Sequence, residues 1–86
     1  MFETYIMYSA SRDQYYTGHT SVGAAKRVTR HNDEWTRSTK AGIPWELVYK
    51  KNFATKSEAI KWELFIKRQK SRSFIERLIS SAENEV

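Results

Sequence analysis

The sequence predicts an α+β fold within the broad α/β class: a small three-stranded antiparallel sheet flanked by helices, in the order β-β-α-β-α-α. Three observations predict it. Residues 3–9 and 14–18 are β-branched and aromatic runs joined by Ala10-Ser11-Arg12-Asp13, a polar connection of hairpin length. Trp45-Glu46-Leu47-Val48-Tyr49-Lys50 alternates as a third strand between helical stretches. Two helix-period apolar runs then follow, opening at Thr55 and Ser71.

In the first strand Ile6 and Tyr8 take one alternating face and Tyr5 and Met7 the other, so the strand is expected to be central and covered on both sides. The second strand ends at Gly18, where backbone must turn or approach something closely. Thr20 or Ser21 is placed to cap a helix running to about Asn32, with Val22, Ala25, Val28 and, at its margin, Thr29 toward the core. Arg27 and His31, four apart, fall on a flank beside that stripe, positioned to line a cleft; Lys26 and Arg30 point further out. From Asn32 to Pro44 the chain is polar and reads as a loop, with Trp35 its exception. The third strand places Trp45, Leu47 and Tyr49 on one face.

Thr55 and Glu58 form the capping-box spacing at the start of the next helix. Its period puts Ala59, Ile60, Trp62 and Ile66 on one side, and sets Glu63 into the same stripe, four after Ala59 and three before Ile66. An unpartnered buried charge costs several kcal/mol, so Glu63 is expected to be ion-paired, protonated or coordinating a cation at a cleft edge. Ser71 caps a last helix whose Phe74, Ile75, Leu78 and Ile79 form a core stripe. Residues 1–82 are expected to form one domain, and 83–86 a short acidic tail.

Eighty-six residues with 40% hydrophobic and 14% aromatic content suffice for one modest core. No apolar run reaches the length of a bilayer span and the start lacks secretory-signal features, so a cytoplasmic protein without membrane partners is expected. Zero cysteines exclude disulfides and thiolate metal sites, leaving oxygen or imidazole ligands for any metal. Fifteen Lys and Arg against ten Asp and Glu give a net charge of +5 and a pI near 9.6, which suits a polyanionic partner. The cations gather in Lys67-Arg68-Gln69-Lys70-Ser71-Arg72 and around Lys26, Arg27, Arg30, Arg37 and Lys40. A solvated face explains either cluster equally well.

His19 and His31 have no zinc spacing, no nucleophile elbow is present, and the three glycines are scattered. What remains is Tyr5 on the central strand, Tyr16 and Gly18 on its hairpin partner, Arg27 and His31 on the first helix, and Glu63 on the next. Each alone is most often structural. Their order and spacing, carried by Thr4-Tyr5-Ile6, Tyr15-Tyr16-Thr17-Gly18-His19-Thr20, Lys26-Arg27-Val28-Thr29-Arg30-His31-Asn32, Pro44-Trp45-Glu46-Leu47-Val48-Tyr49 and Lys56-Ser57-Glu58-Ala59-Ile60-Lys61-Trp62-Glu63, resemble the compact single-domain members of the GIY-YIG nuclease family. The likeness runs from about Thr4 to Ile79. It departs from the family in Glu3-Thr4-Tyr5 where Gly-Ile-Tyr is usual, in Thr17 where Ile or Val is usual, and in lacking an Asn after the glutamate helix.

By this resemblance the function is that of a divalent-metal-dependent endonuclease hydrolysing DNA phosphodiester bonds, structure-selective in repair or recombination. Tyr5, Tyr16, Arg27 and His31 would be the catalytic set, and Glu63 the ligand of one Mg²⁺ or Mn²⁺. Gly18, His19, Lys26, Arg30, Lys40 and Lys67 would meet the nucleic acid. The residue types suit those tasks: a planar guanidinium for phosphoryl oxygens, a carboxylate for a hard cation, a phenol to orient water. Two alternatives stand beside it: a nucleic-acid-binding module of the same fold that does not cut, and a protein-interaction domain using exposed aromatics.

Overall fold

The computed structural model describes residues 1–33 and 37–83, so the expectations for Trp35 and for the end of the acidic tail lie outside the described residues. Strands β1 (Phe2–Ser9), β2 (Gln14–Thr20) and β3 (Trp45–Phe53) form one antiparallel sheet in the order β2-β1-β3. Helices α1 (Ala24–Asn32), α2 (Lys56–Gln69) and α3 (Arg72–Glu83) cover it. This is the α+β architecture expected from the sequence, with β1 central and its Tyr5, Ile6 and Met7 fully buried.

The alternation of β1 divides the core between the two sheet faces. Tyr5 and Met7 pack with Ala24 and Val28 of α1 and with Trp45. Ile6 packs on the other face with Tyr49 and Ile66, supported by Phe74, Ile75, Leu78 and Ile79 of α3. The predicted single face for Trp45, Leu47 and Tyr49 does not survive. A bulge between Ile6 and Met7 pairs Ile6 with Tyr49 but Met7 with Leu47, so Trp45 and Leu47 join the α1 side while Tyr49 joins the α2 side.

The start of α1 also differs from expectation. Thr20 is the last residue of β2 and its hydroxyl accepts from Val22 N at 3.1 Å, while Gly23, at φ 102°, is the N-cap without a side chain to offer. That backbone is one only glycine adopts readily. The free N–H of Ala24 is instead bonded from across the sheet, by Glu3 Oε1 at 2.7 Å. The face that α1 packs against Tyr5, Met7 and Trp45 carries Ala24, Val28 and His31, and Val22, Ala25 and Thr29 are exposed. His31 is therefore core, where the sequence places it on a flank.

Residues Arg37–Gly42, expected to be loop, form a 3-10 helix. The capping residues of the last two helices are as expected: Thr55 Oγ1 accepts from Glu58 N at 3.2 Å, and Ser71 Oγ from Phe74 N at 3.2 Å. Thr4 Oγ1 donates to Ala59 O at 2.7 Å and ties α2 directly to β1. Among the described residues no helix is long and apolar enough to cross a membrane.

Candidate active site

β2 is an edge strand, and its alternating residues reach both helical layers from one sheet edge. On the α1 side, Gly18 stands opposite Tyr5 in the register, and the Tyr5 ring lies over it. Tyr5 Oη meets His31 Nε2 at 3.2 Å, and His31 Nδ1 meets Thr39 Oγ1 at 2.8 Å. The 3-10 helix that carries Thr39 is itself held by Trp45, whose indole N–H donates to Thr39 O at 2.7 Å. Tyr16 completes the cluster, its ring centroid 5.4 Å from that of His31 and 6.3 Å from that of Trp45.

Burial pushes the Tyr5 phenol above its ordinary range; the Arg27 guanidinium opposes the shift, and the charges of Tyr16 and Glu63 add to it. Burial, followed by the positive charge of Arg27, holds His31 below the ordinary histidine value of 6.5. A neutral His31 has one donor and one acceptor nitrogen. With Tyr5 donating to Nε2, Nδ1 carries the proton toward Thr39.

On the α2 side, Glu63 is buried in the apolar stripe with Ala59 and Ile66, and each oxygen of its carboxylate has a side-chain partner. His19 Nδ1 lies 2.5 Å from Oε1, and Lys67 Nζ lies 2.6 Å from Oε2. The Lys67 ammonium also stands 5.9 Å from the Tyr16 ring centroid, which links the two sides of the edge strand. Next to His19 opens a cleft of about 290 Å³ lined by Arg27, Arg30, Thr20 and Lys56.

The structure thus brings together Tyr5, Tyr16, Gly18, His19, Arg27, His31, Glu63 and Lys67. Arg30, expected to point outward, lines the same cleft as Arg27. Lys26 and Lys40 are exposed. Two residues were missed by sequence reasoning. Lys56 reaches the cleft from the first turn of α2, and only the capping box beside it marks that end of the helix. Thr39, read as a loop hydroxyl, is buried and fixes His31.

Among the described residues no three His, Cys, Asp or Glu side chains gather, so protein ligation of a metal rests on Glu63 alone. The donor suits a hard divalent cation that keeps most of its water: an anionic oxygen ligand mounted on a packed helix. That Oε2 already receives an ammonium group shows that a cation fits against it.

Comparison with known proteins bears on the fold and the family. Residues 1–76 match the family model of the GIY-YIG catalytic domain. UPF0213 protein YazA of Bacillus subtilis is 36% identical over 75 residues, 83% of this chain and 75% of its own length. UPF0213 protein SSP2268 of Staphylococcus saprophyticus is 42% identical over 64 residues, 70% of this chain and 77% of its own. The solution NMR structure of UPF0213 protein BH0048 from Bacillus halodurans superposes with a TM-score of 0.57 at 30% identity, covering 93% of this chain and 84% of that one. Fold, motif order and family model coincide, and the chain belongs to the GIY-YIG family, whose catalytic domain suggests a nuclease.

Proposed function

We propose that the protein is a divalent-metal-dependent endonuclease that hydrolyses DNA phosphodiester bonds, with the β2 edge as its active site and a cytoplasmic location following from the substrate. One observation carries this reading: a buried glutamate, two tyrosines and a cleft-lining arginine meet at a single sheet edge. Phosphodiester hydrolysis needs a water brought to phosphorus and negative charge neutralised as it develops on the phosphoryl oxygens. Arg27, with Arg30 and Lys56 beside it, offers fixed positive charge to the diester. Tyr5, buried and with its pKa raised, keeps its proton at neutral pH and orients the site through His31. Tyr16 is only partly buried and is the phenol we assign to the attacking water. His31 acts on both tyrosines as a positioning residue. The metal, when bound at Glu63, supplies Lewis-acid charge stabilisation.

No base-reading element accompanies the cleft among the described residues, and phosphate contacts carry no sequence information. Branched or damaged DNA of the kind met in repair and recombination is accordingly the proposed substrate. The test is plasmid nicking with Mg²⁺ or Mn²⁺, followed by profiles on duplex, flap and junction substrates. Nicking should vanish with chelator and in folded Glu63→Ala and Arg27→Ala proteins. Activity that persists in both variants overturns the site. Salt-sensitive DNA binding without cleavage under either metal replaces the nuclease reading with that of a binding module.

A further inference from the structure

Lys67 belongs to the basic run after α2, a run suited to phosphate, yet its ammonium is not directed outward. It turns back one helical turn onto Glu63, 2.6 Å from Oε2, with half of the lysine side chain still in solvent. Most i,i+4 pairs of this kind are weak because both partners are hydrated. Here the carboxylate is 11% exposed, so the attraction is screened far less than on an open helix face. His19 holds the other oxygen, and so both oxygens of the proposed metal ligand are engaged by side chains before any metal arrives.

We propose that Lys67 is the resident counter-cation of Glu63, occupying the position that a divalent ion must take, and that it thereby sets the metal affinity of the site. The inference rests on the assignment of Glu63 as metal ligand. A cation approaching Oε2 meets an ammonium already hydrogen-bonded there, and the two positive charges cannot share one oxygen without repulsion. Binding is therefore an exchange: the lysine leaves on its flexible four-carbon stem, and the free energy of its charge-assisted hydrogen bond is subtracted from that of metal binding. The exposed side of Lys67 gives it a path out, whereas burial of Glu63 leaves the carboxylate in place. Removing the lysine charge should tighten metal binding, the reverse of what a metal-supporting or merely structural lysine would do.

The experiment is a titration of Mn²⁺ into the metal-free protein, followed by the electron paramagnetic resonance signal of free Mn²⁺, without DNA or turnover. Wild type is compared with Lys67→Gln, Lys67→Met, Lys67→Arg and Glu63→Ala, each checked for folding by circular dichroism. Lys67→Gln and Lys67→Met should bind Mn²⁺ roughly tenfold more tightly, the worth of one charge-assisted hydrogen bond. Lys67→Arg, which keeps the charge, should stay near wild type, and Glu63→Ala should not bind. Unchanged or weaker binding in the neutral variants, with Glu63→Ala still inactive in binding, overturns the exchange and leaves Glu63 as ligand. Equal tightening by Lys67→Arg also overturns it, since charge would not be the cause. Mn²⁺ binding that survives Glu63→Ala, or none in any protein, removes the metal assignment and the inference with it.

Discussion

A β-carbon on Gly18 would stand 2.7 Å from the Tyr5 hydroxyl oxygen and 2.9 Å from its Cζ, so the edge strand seats the Tyr5 ring only by having no side chain there. The ring has little room to move, because Tyr5 is 1% exposed and its hydroxyl is tied to His31. Gly18→Ala should therefore cost about 1–3 kcal/mol, the usual range for overpacking a filled site. Urea unfolding measures the loss. If the tyrosine shifts to admit the methyl group, the Tyr5–His31 bond breaks and DNA nicking should fall by more than the folded fraction explains. A Gly18→Ala protein as stable and as active as wild type would show that the close approach does not matter.

Glu63 is set among apolar residues and compensated by His19 and Lys67, both of which keep access to water. Replacing a buried ion pair by a well-packed apolar residue is often neutral or stabilising. Glu63→Leu should complete the Ala59–Ile66 stripe, with unfolding free energy unchanged or raised by about 1 kcal/mol. The same protein should lose at least about a hundredfold in nicking rate, the scale of a lost charge-stabilising group. Stability gained where activity is lost would mark Glu63 as retained for chemistry. A marked destabilisation by Glu63→Leu would instead make the ionic cluster structural.

Much of this was legible from residue order. The two-sided β1, the Thr55 and Ser71 caps and the carboxylate in the α2 stripe all follow from local periodicity, and the structure keeps them. What escaped was non-local. A bulge is a matter of pairing between β1 and β3, so nothing in Trp45–Phe53 announces that Trp45 and Tyr49 take opposite faces. A partner of Glu63 is non-local in the same way, since His19 is forty-four residues away from it along the chain. Only the approach of α2 to the β2 edge brings His19 to Glu63. His31 was misplaced for a related reason: which face of α1 is buried is set by its packing on Tyr5, Met7 and Trp45, and even the start of α1 is set by Gly23 and by Glu3, twenty-one residues before Ala24.

That start yields its own prediction. Glu3 stands where the family motif has glycine, and its carboxylate caps α1 through Ala24 N while Lys50 lies 3.9 Å from its other oxygen. A carboxylate at a helix N-terminus contributes through both the hydrogen bond and the helix dipole. Glu3→Ala should lower stability by about 1 kcal/mol, with Glu3→Gln intermediate because the amide oxygen still accepts. Arg27 lies three residues into the helix, so loosening its first turn should also weaken DNA binding. Thermal unfolding and a binding isotherm on the same samples test both parts. An unchanged melting temperature in Glu3→Ala would show that water replaces the cap without loss.

The buried His31 makes stability depend on acid. Its folded-state pKa lies below the ordinary 6.5, with burial the main cause and Arg27 the second. As pH falls, the unfolded chain takes up this proton before the folded protein does. The stabilisation is therefore fully present above about 6.5 and is lost as pH descends through the folded value. A protonated imidazole would have two donors, leaving Nε2 with no acceptor role for the Tyr5 hydroxyl. Stability should thus decline as pH falls below about 6.5, with a slope of at most one proton, about 1.4 kcal/mol per pH unit. His31→Gln, which cannot titrate, should be less stable at pH 7 yet show a flatter acid limb. Urea midpoints at half-unit pH intervals for the two proteins isolate the contribution of His31, and parallel acid limbs would mean that its proton is not the one that matters.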